Sequence, residues 1–179
     1  MDNPVHSSSR IHRLMTGAAV ISAFIMLVTM LRLNGFWIDE LYTLHSIRLG
    51  WKEMVLERLD RGHFPGYFAL VRLWYSFWPE RMFEVALRSM SVVFYVMAVL
   101  SFIPLARRVL SSPASLVAIA LFACNGIALR QGSEARMYTV TLFIAVWITR
   151  AWFELQVSDQ ADGHSRKRGW SMAMIPLPV

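Results

Sequence analysis

Phe68-Ala69-Leu70-Val71-Arg72-Leu73-Trp74-Tyr75-Ser76-Phe77-Trp78 is the stretch whose reading decides the fold. It is apolar, but shorter than the roughly 20 residues a membrane helix needs, and Arg72 stands in its middle. An arginine at mid-bilayer costs at least about 2.5 kcal/mol on insertion scales. Tyr67, Trp74, Tyr75 and Trp78 favour the headgroup zone. The stretch therefore reads as an interfacial or half-buried helix, not a span. Topology depends on this choice, because a crossing here would put Asp39 and Glu134 on opposite sides of a bilayer.

On either side lie longer apolar runs. Met15 to Leu31 carries no charge and follows Arg10, His12 and Arg13. With its flanks it is long enough to span. A signal peptide is the rival reading, but Met30-Leu31-Arg32-Leu33-Asn34 is a poor cleavage site, which favours a retained helix. Ser89 to Leu105 is a second span, left at Arg107-Arg108. Ser112-Pro113 reads as an N-cap and first helical residue opening a third run, Ala114 to Leu129. Arg130 to Arg136 is a polar turn, and Met137 to Phe153 a fourth run.

The expected fold is an all-α integral membrane protein of about four transmembrane helices, with a long first extracytoplasmic loop of interfacial helices. A cytoplasmic N-terminus (1–13) precedes a helical membrane domain (14–157). A polar loop and an incomplete fifth membrane segment follow (158–179). Arg107, Arg108, Arg150, Arg166, Lys167 and Arg168 then lie inside, as the positive-inside rule asks, and a bacterial plasma membrane is the expected location.

Composition agrees. The 179 residues are 56% hydrophobic, and the mean hydropathy of +0.44 comes from whole apolar segments, not alternating faces. The net charge of +6 would suit nucleic acid, but the basic residues flank apolar runs, so no nucleic-acid partner is expected. Cys124 is the only cysteine, so an intrachain disulfide is ruled out. Within an apolar run it reads as a small buried packing residue.

Inside the long loop, Gly35-Phe36-Trp37-Ile38-Asp39-Glu40-Leu41-Tyr42 sets two carboxylates just after the first apolar run. Asp39 suits an N-cap and Glu40 the positive end of the helix that follows. Equally, Asp39 suits a base, which partial desolvation at a lipid boundary would strengthen. Trp51, Met54, Val55 and Leu59 recur at helical spacing beside Lys52, Glu53, Glu57, Arg58 and Asp60. That is an amphipathic helix, ended by Gly62. His63 is a turn histidine, or else a metal ligand or phosphate contact. Glu134-Ala135-Arg136-Met137-Tyr138 is a polar turn with interfacial anchors, or a site where Glu134 holds a metal or an acceptor and Arg136 a phosphate. Arg88 and Arg130 suit membrane-boundary anchors.

Four motifs in order carry a family resemblance. They are Trp37-x-Asp39-Glu40-x-Tyr42 after an apolar helix, His63-x-Pro65-x-Tyr67 before an aromatic helix, Ala86-Leu87-Arg88-Ser89 opening a span, and Glu134-Ala135-Arg136-Met137-Tyr138 opening another. Over Ile11 to Phe153 the chain resembles the N-terminal portion of the GT-C superfamily of polyprenyl-phosphate-sugar-dependent membrane glycosyltransferases. The protein O-mannosyltransferase, lipid A aminoarabinose transferase and Rgt-like groups are the nearest in pattern. Family members hold further spans beyond these.

The resemblance implies a lipid-linked sugar phosphate as donor and a glycan, lipid or protein hydroxyl as acceptor. Asp39 matches the catalytic carboxylate. Glu40, Glu134 and His63 match positions associated with acceptor or metal, so a divalent cation is a candidate cofactor, and Arg136 and Arg88 match donor-phosphate contacts. Phosphate is already a stable leaving group, so one base and a phosphate clamp suffice, with inversion at the anomeric carbon. The competing expectation is a non-catalytic multi-pass protein, a transporter piece or assembly factor, whose acidic residues only cap and anchor.

Overall fold

The computed structural model describes the backbone of residues 4–33 and 35–162, and the side chains of residues 14–29 and 35–156. Among these every regular element is helical. The long apolar runs become α1 (Pro4–Leu33), α5 (Phe83–Val109) and α8 (Tyr138–Asp162), with α6 (Ser112–Ala123) and α7 (Gly126–Gly132) between the last two. The intervening loop folds as α2 (Ile38–Arg48), α3 (Trp51–Asp60), α4 (Pro65–Tyr75) and a 3₁₀ turn at Glu80–Met82.

α5 is the central helix. It packs most extensively against α8 and also touches α1, α4, α6 and α7. One continuous stretch, Glu80–Val109, is long and apolar enough to cross a membrane. The α6–α7 pair passes the same test jointly but is bent by 46°, and Leu14–Thr29 is a shorter apolar helix. The bend has a local cause. α6 closes at Cys124, and Asn125 caps the second helix, its side-chain oxygen accepting the Ala128 N–H at 2.9 Å. The Ala123 carbonyl, released from α6 by the break, accepts the buried Tyr95 hydroxyl at 2.7 Å. Cys124 lies at this break and is exposed, not the buried packing residue that its apolar neighbours suggest.

At one end of the bundle α2, α3 and α4 form a cap. α4 has 11 residues, so it is about 16 Å long and too short to cross the roughly 30 Å of a bilayer core. Arg72 has an internal use: its guanidinium donates to the Leu49 carbonyl and lies 4.6 Å from the Trp51 ring, tying α4 to the α2–α3 turn. Trp74 donates to Ser89 on α5 at 3.0 Å. Val71, Phe68 and Tyr67 fill the core beneath, with Leu44, Met54, Leu87 and Met90. At the far end of the bundle Arg107 of α5 donates to Thr16 of α1 at 3.1 Å.

Several expectations shift. Trp37, not Asp39, caps α2, and Asp39 sits in its first turn. Ser111 caps α6, so Pro113 is its second residue. The segment Gly132–Ala135 is buried, not a solvated turn. The expected polar loop and fifth segment (158–179) lie largely outside the described residues, with the backbone described only to Asp162, as do the side chains of Arg10, His12 and Arg13.

Candidate active site

Beneath the cap lies a pocket built by the α2 N-terminus, the α3–α4 turn and the Ala135–Tyr138 segment. Its frame is a buried ion pair. Glu40 is 0% exposed and meets Arg88 of α5 in a fork, Oε1 to Nε at 2.9 Å and Oε2 to a terminal nitrogen at 2.8 Å. Glu40 also accepts the Trp37 N–H at 3.0 Å and the Ala135 N–H at 2.8 Å. Burial pushes its carboxyl up, but the hydrogen bonds from Arg88, Ala135 and Trp37 outweigh this and hold it below the usual carboxylate range. Arg88 in turn donates to the Gly35 carbonyl at 2.9 Å and covers the Phe36 ring at 4.8 Å. These contacts correct two site expectations. Glu40 has its lone pairs filled by four donors, which leaves no position for a metal or acceptor. Arg88 spends its fork on Glu40, not on a donor phosphate.

That frame fixes the two walls that matter. Because Glu40 grips the Ala135 amide, the Glu134–Arg136 segment is held against α2, and Arg136 reaches Asp39 in a close ion pair. The Asp39 side chain remains 49% exposed. Arg136 also lies 5.3 Å from the Tyr138 ring. Glu134 points away. It is buried behind the pocket and pairs with Arg130 at 3.2 Å, while Arg130 covers Trp37 at 5.4 Å. Asp39 and the Glu134 backbone are thus at one end of the bundle, but the two carboxylates do not share the cavity.

The cavity itself measures about 290 Å³, at the bottom of the range for small-molecule sites. Asp39, Arg136 and His63 line it, as do Arg58, Arg61 and Tyr67. His63 reaches it through a helix-ending turn. Gly62 is left-handed at φ 72°, the His63 N–H bonds the Arg58 carbonyl at 2.8 Å, and the Gly62 N–H bonds Leu59 at 3.0 Å, a Schellman closure.

Arg58, a polar position of the amphipathic helix, and Arg61 also reach this cavity. Arg58 is only 3% exposed, lies 4.7 Å from the Phe68 ring and pairs with Glu57 at 2.7 Å. Arg61 shares Glu57 at 3.2 Å and covers Tyr42 at 5.5 Å. Burial pushes Glu57 up, but Arg58, Ser46 and Arg61 together hold it below its ordinary value. Tyr67 is 8% exposed, and burial and then the Glu40 charge push its phenol well above its ordinary range, with Ser91 and Arg136 offsetting this only in part. It therefore stays protonated and able to donate. Three guanidiniums against two carboxylates, Asp39 and Glu57, leave one cation in excess.

Among the described residues no three His, Cys, Asp or Glu side chains converge as metal ligands. The described residues alone do not offer a donor set that fits a protein-held cation. A second cavity of about 400 Å³ between α1 and α5 is lined by Phe24, Val28, Val85, Val92 and Val93, with Glu84, Arg88 and Ser89 as its polar members. Comparison with family models, curated proteins and solved structures finds no match to this chain.

Proposed function

We propose that this chain is a multi-pass membrane protein and the N-terminal, base-bearing portion of a GT-C-type glycosyltransferase. In this reading α1, α5, the α6–α7 pair and α8 cross a bacterial plasma membrane, with the N-terminus cytoplasmic and α2–α4 on the outer face. Membrane residence is supported by the exterior of the bundle. Ile21, Phe24, Val93, Leu100, Leu121, Ile144, Trp147 and Ile148 are all exposed, which puts large apolar side chains along the outside of α1, α5, α6 and α8. In the Glu80–Val109 stretch only 33% of the most apolar window is buried, unlike the core helix of a soluble protein.

The observation that carries the activity is the pairing of one carboxylate, Asp39, with a pocket of arginines at the mouth of the bundle. Asp39 accepts the proton of the acceptor hydroxyl. The acceptor oxygen bonds the anomeric carbon, and the carbon–oxygen bond to phosphate breaks with its electron pair passing to the phosphate. Arginine charge stabilises the leaving anion, so no general acid is required. The donor is a polyprenyl-phosphate sugar and the acceptor a glycan, lipid or protein hydroxyl.

The test is transfer from a polyprenyl-phosphate sugar in liposomes reconstituted with the protein. Asp39→Asn should lower turnover by about 10²–10⁴-fold with an unchanged unfolding midpoint. Full activity in that variant removes Asp39 from the mechanism. The non-catalytic alternative is favoured by one observation, that Asp39 and Glu40 are both engaged by arginines in the resting structure. It predicts no transfer by the wild type, and no change in membrane insertion with Asp39→Asn.

A further inference from the structure

Two buried polar groups in the Asp39 pocket lack well-formed hydrogen bonds. Arg58 is 3% exposed, and its Nε–H makes no hydrogen bond, although its terminal nitrogen meets Glu57. Tyr67 is 8% exposed, and its hydroxyl makes no well-formed hydrogen bond, although the Ser91 hydroxyl lies near enough to act on it. A guanidinium N–H only donates, so what completes Arg58 must be an acceptor. Leaving such groups unmade costs about 1–3 kcal/mol each, and more for a charged group. Both line the same cavity as Arg136, whose guanidinium is the only one there bound to Asp39.

From this arrangement we infer that the pocket is a phosphate-operated release for Asp39. A phosphate group seated on the Arg58 Nε–H and the Tyr67 hydroxyl draws Arg136 off Asp39, so the carboxylate is freed only when the anion is in place. The inference rests on the glycosyltransferase reading for its purpose, but not for its chemistry. The Asp39 Oδ2 that Arg136 holds is not open to an acceptor hydroxyl while the pair lasts. A phosphate carries more charge than a carboxylate and offers Arg136 a matching fork. The exchange costs little, because Asp39 is half exposed and water replaces the lost partner. Arg61, half exposed at the rim, adds field without needing to move. The device keeps the base masked until the leaving group's own phosphate has arrived.

The test is calorimetric titration of the detergent-solubilised full chain with two probes, inorganic phosphate and geranyl phosphate. Binding of both places the phosphate group itself in the pocket, and binding of geranyl phosphate alone assigns the site to a lipid headgroup. Arg58→Gln should weaken either by at least about tenfold. Arg58→Lys, which keeps the charge but loses the Nε fork, carries the same test if the glutamine variant does not fold. Asp39→Asn removes the competitor for Arg136 and should tighten binding about two- to fivefold. That gain should vanish in an Arg136→Gln background. An equal gain in both backgrounds means a general charge effect and overturns the release, while leaving the phosphate site standing. Absence of binding by either probe, or wild-type affinity in both Arg58 and Arg136 variants, overturns the phosphate site and the donor reading with it.

Discussion

The Glu40 carboxylate and the Arg88 guanidinium, 48 residues apart in the chain, meet fork to fork at 2.8 and 2.9 Å, and neither side chain reaches the surface. The pair joins the first turn of α2 to the start of α5. Through the Ala135 amide it also holds the approach to α8, so three segments distant in sequence depend on one carboxylate.

Replacing Glu40 with glutamine takes from the buried Arg88 guanidinium the carboxylate that meets it in a fork. Breaking a buried pair in this way costs about 3–5 kcal/mol. Thermal unfolding in detergent should show the loss, with Arg136 released from Asp39 as the Ala135 segment loosens. Glu154→Gln breaks an exposed pair with Arg150, 2.9 Å apart, and should cost under about 1 kcal/mol. Equal effects of the two changes would mean the Glu40 pair does not organise the fold.

Acid should act through the same carboxylate. Glu40 is held below its ordinary value of 4.5, so its contribution to stability is complete above that value. It is lost as pH falls further, through the lower folded value. Glu57 is shifted in the same direction and adds to the slope. Midpoints measured from pH 6 downward should be flat at first, then fall below about pH 4.5. The fall should be shallower in Glu40→Gln and shallower still with Glu57→Gln added. A wild-type midpoint that does not move below pH 4 contradicts the assigned shifts.

Much of the helical framework is legible in residue order. α5 follows from an apolar run bounded by Arg88 and Arg107, and the shortness of α4 follows from Arg72 and its aromatic flanks. The break after Ala123 had a signal, Asn125-Gly126, hidden because every residue from Ala114 to Cys124 except Ser115 is apolar. The pocket is another matter. Arg58 sits at a polar position of an amphipathic pattern, where solvent is the default. Only the packing of α4 through Phe68 turns that face inward. The Glu40–Arg88 match has no local signature, since a pairing across 48 residues leaves no periodicity to read.

Tyr67→Phe separates stability from binding. Its buried hydroxyl makes no well-formed hydrogen bond, so removing it relieves a poorly met polar group and should leave the unfolding midpoint unchanged or slightly higher. Phosphate affinity should fall by about three- to tenfold, one hydrogen bond's worth. A destabilised variant would mean that the hydroxyl bonds within the protein, and that the cavity has no use for it.

Two glycines test how the packing is shared between the cap and the bundle. At Gly132 an added Cβ would meet Leu27 Cδ1 at 2.8 Å and the Tyr95 ring at 3.4 Å. Leu27 of α1 is wholly buried beside Tyr95, so its Cδ1 can yield only by repacking the core. Overpacking at such a point costs about 1–3 kcal/mol, and Gly132→Ala should lower the midpoint accordingly. At Gly66 the added atom would overlap the Phe64 ring still more severely, yet Phe64 is largely exposed and can swing away. Gly66 also lies in the first turn of α4, where alanine favours the helix by up to about 1 kcal/mol. Gly66→Ala should therefore be neutral or stabilising despite the closer nominal contact. The opposite ranking in thermal unfolding would mean that α7 does not pack against α1 and α5 as described, and the support beneath the Glu134–Arg136 segment would have to be sought elsewhere.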